Sequence, residues 1–301
     1  MKSYRLYAII PALFLLCGWF ILISRPASAG MVLHDGAGQY SGPERHPGES
    51  EVIAHLTTEP AEVTAGKYAT IRFSLSDAGG RPVQGLTLMH ARYLHVVIVS
   101  QDFSVFAHIH PRDFERLTPR ALKGGKFFVR FTFPKAGRYV VGLNFAVKGR
   151  PFSRHFIVTV AGEPRMAPVR EDFSREKRFD GLDVVFKTAP ARLAANRKAL
   201  LSYVFTKNGK AVTDLRPWLA APMHLAIVSS DLKYFLHVHG EVPGMSHHGN
   251  DDDHMHMAVP PKFGPEIEVP VVFPGKGLYE VYGQVGYEGR VILTKFMVNV
   301  K

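Results

Sequence analysis

The chain is written twice, and that repeat constrains its fold more than any other feature. Residues 95–110 read HVVIVSQDFSVFAHIH and residues 224–239 read HLAIVSSDLKYFLHVH. At an offset of 129, His95 matches His224, Ser100 matches Ser229, Asp102 matches Asp231 and Phe106 matches Phe235, while His108 and His110 match His237 and His239. Upstream, Gly80 and Val83 match Gly209 and Val212. Downstream, Phe133, Pro134, Gly137, Tyr139, Gly149 and Arg150 match Phe273, Pro274, Gly277, Tyr279, Gly289 and Arg290 at an offset of 140. The second copy has therefore gained eleven residues in a loop between the two blocks.

Each copy reads as strands. Ala69, Ile71, Phe73 and Leu75 alternate with Thr70, Arg72 and Ser74, Phe127, Val129, Phe131 and Phe133 alternate with Phe128, Arg130 and Thr132, and Tyr139, Val141, Leu143 and Phe145 share one face. A period of two argues half-buried strands. The expected strands of copy one are 51–57, 67–75, 92–99, 104–110, 126–133, 138–147 and 153–160. Those of copy two are 182–188, 198–205, 223–229, 233–239, 266–273, 278–286 and 291–300. No convincing amphipathic helix appears. Seven short strands in about 100 residues predict an immunoglobulin-like sandwich. The expected fold is all-β: two tandem antiparallel sandwiches at 51–160 and 179–301, joined by a Pro- and charge-rich linker at 161–178. A Gly- and Pro-rich lead-in covers 30–50.

The first 29 residues predict export. Lys2 and Arg5 precede an apolar run from Leu6 to Ile23, and Ala27-Ser28-Ala29 offers a small-residue cleavage site. An uncleaved membrane anchor is the other reading of the run, and only then is membrane contact expected. Lipidation at Cys17 is disfavoured by bulky Leu16. Each reading places the body in the periplasm or outside the cell. Cys17 is the only cysteine, so the exported part has neither disulfide nor thiolate, and metal ligands must come from His, Met, Asp and Glu. The formal charge is +11, or +8 without Lys2, Arg5 and Arg25. Acidic residues are mixed among the basic ones throughout, so the excess reads as a matter of solubility, and nothing suggests nucleic acid.

The histidines carry the functional signal. His108 and His110 are two apart in a strand and share a face. If the hairpin turns near Gln101-Asp102, His95 lies opposite one of them, with opposed Cβ atoms ~5 Å apart. Three imidazoles then converge, and His224, His237 and His239 repeat the triangle. A lone strand histidine is usually a half-buried ring bonded to a carbonyl, and His90 and His155 read that way. His34, His46 and His55 stay unassigned. The inserted loop, MSHHGNDDDHMHM at 245–257, adds His247, His248, His254, His256, Met245, Met255 and Met257. His-rich tracts suggest metal binding, and thioethers favour Cu(I). The expectation is copper, as Cu(I) or Cu(II), with zinc or nickel as alternatives. The second domain is expected to be the principal site, with the loop folded over its triangle.

The segments MHLAIVSSDLKYFLHVH (223–239), its partner at 95–110 and TKNGKAVTDLRPWL (206–219) resemble bacterial secreted YtkA-like and related heavy-metal-associated sandwich domains. The resemblance implies a small exported immunoglobulin-like module, with metal handling suspected, and adds no catalytic residue. Pro111 follows the first HxH as in that family, whereas Gly240 follows the second, which predicts a re-routed loop.

No nucleophile elbow, phosphate-cradling loop or HExxH helix is present, and a blue-copper site lacks its cysteine. The protein is therefore expected to be non-enzymatic. Its expected role is to capture metal in the cell envelope and hand it to another metal-handling protein. The alternative is an immunoglobulin-like interaction or assembly module with no metal.

Overall fold

A computed structural model describes residues 52–245 and 259–301. The expected leader and lead-in lie outside these residues, as do His247, His248, His254, His256, Met255 and Met257 of the loop. Among the described residues no helix is long and apolar enough to cross a membrane.

The first repeat contains β1 (Ile53–Glu59), β2 (Val63–Thr64), β3 (Tyr68–Ser76), β4 (Leu86–Thr87), β5 (Leu94–Ser100), β6 (Phe106–Ile109), β7 (Lys126–Thr132), β8 (Gly137–Val147) and β9 (Arg150–Ala161). The second contains β10 (Glu176–Phe179), β11 (Leu182–Ala189), β12 (Lys198–Lys207), β13 (Lys210–Ala211), β14 (Met223–Ser229), β15 (Phe235–Gly240), β16 (Glu266–Val272), β17 (Gly277–Tyr287) and β18 (Arg290–Val300). In the first, β1-β3-β7 faces a sheet ordered β2-β9-β8-β5-β6 with β4 on β8. In the second, β10-β11-β12-β13 with β16 on β12 faces β15-β14-β17-β18. This is the expected tandem sandwich. Some details differ from expectation, among them the additional two-residue strands β2, β4 and β13. The six-residue helix α1 (Pro119–Gly124) follows a Thr118 side-chain cap, too short to leave an amphipathic pattern. β10 also begins inside the stretch read as linker.

The alternating residues fill the two cores. Ala69, Ile71, Phe73 and Leu75 meet Val141, Leu143 and Phe145 in the first. Leu201, Tyr203 and Phe205 meet Val281, Val285 and Phe296 in the second. Each copy is pinned at the same corner: Tyr139 Oη donates to the Lys135 carbonyl, and Tyr279 Oη to that of Gly275, both at 2.8 Å.

The two sandwiches share a third core. β5 and β14 are buried along their whole length, so both faces of each strand are covered. Val96 and Ile98 face the first core and Leu225 and Ile227 the second. The alternate residues Val97, Val99, Ala226 and Val228 face outward and pack with Phe103, Val140, Phe235, Tyr282 and Met297. Phe106 stacks on Tyr282 at 4.6 Å, and Tyr282 Oη donates to the Phe103 carbonyl at 2.7 Å. Gly142 leaves the space filled by the Phe235 ring. His95 and His224 continue these outward rows, so the docking of the domains determines what surrounds them.

Candidate metal centre

The hairpins place the repeated histidines face to face. Val97 pairs with His108 across β5 and β6, which sets His95 opposite His110. His224 pairs with His239 and Ala226 with His237 across β14 and β15. Because the outward faces dock, the two hairpins form one cluster rather than two separate triangles. His95 lies 5.6 Å from His224 and 5.3 Å from His237, ring centre to ring centre, and His108 lies 5.0 Å from His237.

The first hairpin holds its rings in fixed tautomers. His95 Nε2 donates to the Met89 carbonyl at 2.9 Å, which leaves the lone pair on Nδ1. His108 Nδ1 donates to Gln284 Oε1 of the second sandwich at 2.7 Å, which leaves the lone pair on Nε2. Those two bare nitrogens face each other at 3.1 Å. His110 Nδ1 lies 3.1 Å from Asp113 Oδ2, while its buried Nε2 has no hydrogen-bond partner among the described residues. Three lone pairs therefore converge. Four-coordinate metal–nitrogen bonds of ~2.0–2.1 Å imply nitrogen–nitrogen spacings of about 3.3–3.4 Å, close to the spacing seen. A carbonyl, an amide and a carboxylate behind the rings are the outer partners that metal-ligating histidines use. Asp113 is in place because the turn Pro111–Asp113 also bonds its carboxylate to the His110 backbone N–H at 2.9 Å.

The second hairpin lacks these supports. Asn144 occupies the repeat position of Gln284, one methylene shorter, and neither its Oδ1 nor His237 Nδ1 has a hydrogen-bond partner among the described residues. Gly240 replaces the proline, the strand runs on, and Glu241 joins the sheet through Glu268. A Cβ at Gly240 would sit 2.5 Å from Ile267 Cγ2, so close packing requires glycine there. His224 Nε2 lies 3.4 Å from the Leu219 carbonyl and its Nδ1 3.3 Å from His237 Nε2. His239 Nε2 is buried without a partner among the described residues, and the ring of His90 covers His239 at 3.7 Å.

Among the described residues, three groups have ligand atoms within 4.8 Å of one another: His95/His108/His110, His90/His224/His239 and His95/His224/His237. The expected set His224/His237/His239 is not among them. Its members are divided between two groups, each completed from the first sandwich. His90, read from sequence as isolated, is a member. Its counterpart in the repeat is Leu219, so the second copy holds no equivalent ring. His155 is buried against Phe235 and stays outside the groups. Met245, at the root of the loop, is half-buried.

The cluster is built for neutral imidazole. Burial pushes His95 down to about 3, and burial reinforced by neighbouring histidines holds His108, His224, His237 and His239 well below the usual histidine range. His110 is lowered by burial, with Asp113 opposing. At neutral pH no proton stands between His95 and His108, and neutral nitrogen is the form that binds a metal.

A search among curated proteins found no match. Solved structures that match include domains 4 and 5 of the S-layer protein SbsC, at 11% identity and a TM-score of 0.22 over 84% of this chain and 98% of that one. The D0-D1 domain of intimin matches at 12% and 0.20 over 82% and 100%. Escherichia coli alpha-2-macroglobulin activated by porcine elastase matches at 15% and 0.24 over 84% and 24%. The family model described as a domain of unknown function, DUF8832, matches residues 51–162 and again 177–301. The match does not confirm the YtkA-like label; the chain belongs to DUF8832 and carries two copies of its domain.

Proposed function

We propose that this is an exported, non-enzymatic protein that binds a transition metal in the histidine cluster between its sandwiches. One observation carries the reading: two imidazole lone pairs, each fixed by a hydrogen bond behind the ring, face each other at 3.1 Å. In a purely structural interface that contact is repulsive. Buried His110 Nε2 and His239 Nε2 would each add about 1–3 kcal/mol of unmet hydrogen bonding. A cation relieves both. Imidazole suits Cu(II), Zn(II) and Ni(II), and the methionines at 245, 255 and 257 add thioethers that suit Cu(I), so copper is the proposed cargo. The rings at 90, 108, 237 and 239 are only half-buried, which gives the ion a way in and out, as capture and hand-over to an envelope partner requires.

The second reading is a cell-surface interaction module. It fits the tandem sandwich and the kind of protein named among the structural neighbours, but it gives the buried imidazoles no role. Competition titration with Cu(I), Cu(II) and Zn(II) separates the two, using the natural chain, a chain lacking residues 246–258, and the double variant His95→Gln/His224→Gln. Among the described residues, every converging group contains His95 or His224. The metal reading expects tight binding that the double variant loses. Binding indifferent to that variant would favour the surface module.

A further inference from the structure

We infer that the cluster has two ion seats, filled together, and that the second spans the two sandwiches. This rests on the metal reading above and goes beyond it. Of the three converging groups, His95/His108/His110 and His90/His224/His239 share no residue, whereas His95/His224/His237 takes one ligand from each. A neutral ring has one lone pair, so it serves one ion at a time. Filling the central group therefore empties a position in both outer groups. Filling both outer groups uses six rings and leaves His237 aside, so the arrangement that satisfies most nitrogens is two ions.

The seats are unlike. The first belongs to one hairpin and has the Met89 carbonyl, Gln284 and Asp113 behind its rings. The second joins His90, on the loop before β5, to His224 and His239 on β14 and β15. His90 lies 5.4 Å from His224 and 3.7 Å from His239, ring centre to ring centre. The Leu219 carbonyl lies behind this seat, 3.4 Å from His224 Nε2. The second, drawing ligands from both domains, ties the sandwiches together when loaded.

The test is equilibrium dialysis of the full chain against Zn2+, at a free concentration that just saturates it, with metal counted by mass spectrometry. The variants are His110→Gln, His90→Gln and the two combined, each made in a His237→Gln chain so that the central group cannot take up an ion, with exposed His55→Gln on β1 as control. Counting differences removes any ions held by the 245–257 loop. Each single variant is expected to lose one equivalent and the double variant two. His108→Gln and His239→Gln repeat the pair should a first variant not fold, as judged by near-ultraviolet circular dichroism. A double variant that loses only one equivalent overturns the two-seat inference and leaves the metal reading standing. No loss in any folded variant overturns both.

Discussion

Replacing Gln284 by leucine removes the acceptor behind His108 while keeping a side chain of similar bulk. The bond lost is Nδ1–H to Oε1 at 2.7 Å, across the domain interface. Loss of such an outer partner costs about 10–100-fold in metal affinity, or about 1.4–2.7 kcal/mol. The metal-free chain should lose much less. With Gln284 gone, the His108 proton can move to Nε2 and donate to His95 Nδ1, 3.1 Å away, so one hydrogen bond replaces another and the net change is about 1 kcal/mol or less. The perturbation thus penalises the loaded state selectively. Competition titration reads the affinity, and nitrogen-15 NMR of the imidazoles reads the tautomer, which should change from Nδ1–H to Nε2–H. Unchanged affinity, or a His108 that keeps its proton on Nδ1, would refute the assignment of Nε2 as a ligand atom.

Other outcomes follow from the same geometry. Asp113→Ala should weaken the first seat by roughly tenfold without changing the number of ions bound, as read by the same titration. Gly142→Ala places a methyl against the Phe235 ring, and should destabilise the chain by about 1–3 kcal/mol and weaken zinc binding together, by calorimetry and titration. The metal-free protein should lose stability as pH falls from about 6.5 toward 3. Unfolded histidine protonates near 6.5, while burial holds His95 down to about 3 and His224 well below the usual histidine range, so the unfolded state binds more protons. His95 alone costs about 1.4 kcal/mol at pH 5.5, measurable by denaturant titration. Glu280 runs the other way: burial, only partly opposed by Lys295, raises it from 4.5 to about 7. Its folded form binds the extra proton, and stability is lost as pH rises through that window. Glu280→Gln should therefore gain up to about 3 kcal/mol at pH 8 and nothing at pH 4.

The sandwich was legible because its signals are local. Alternation at residues 69–75 and 138–147 and the repeat itself specify strands, their faces and the doubling. The convergence of His95, His108 and His110 followed from strand geometry alone. What was not legible came from docking. His90, Gln284 and the division of the second triangle depend on how one sandwich meets the other, and no periodicity encodes that. One available signal pointed there: Val97, Val99, Ala226 and Val228 continue the histidine rows with apolar residues, and a row of that kind needs a partner surface. Asp113 was hidden for a different reason, since it reaches His110 only through the turn that Pro111 begins. The exchange of Pro111 for Gly240 did mark a change of path, visible in the strand that runs on to Glu241.

X-ray absorption at the metal edge reads the proposed ligand atoms themselves. With one equivalent of Cu(II) or Zn(II) in the natural chain, the account expects nitrogen neighbours at ~2.0 Å with the outer-shell scattering of several imidazoles. That pattern should vanish in His95→Gln/His224→Gln. The same histidine pattern in the double variant, or an oxygen-only shell in the natural chain, would contradict it.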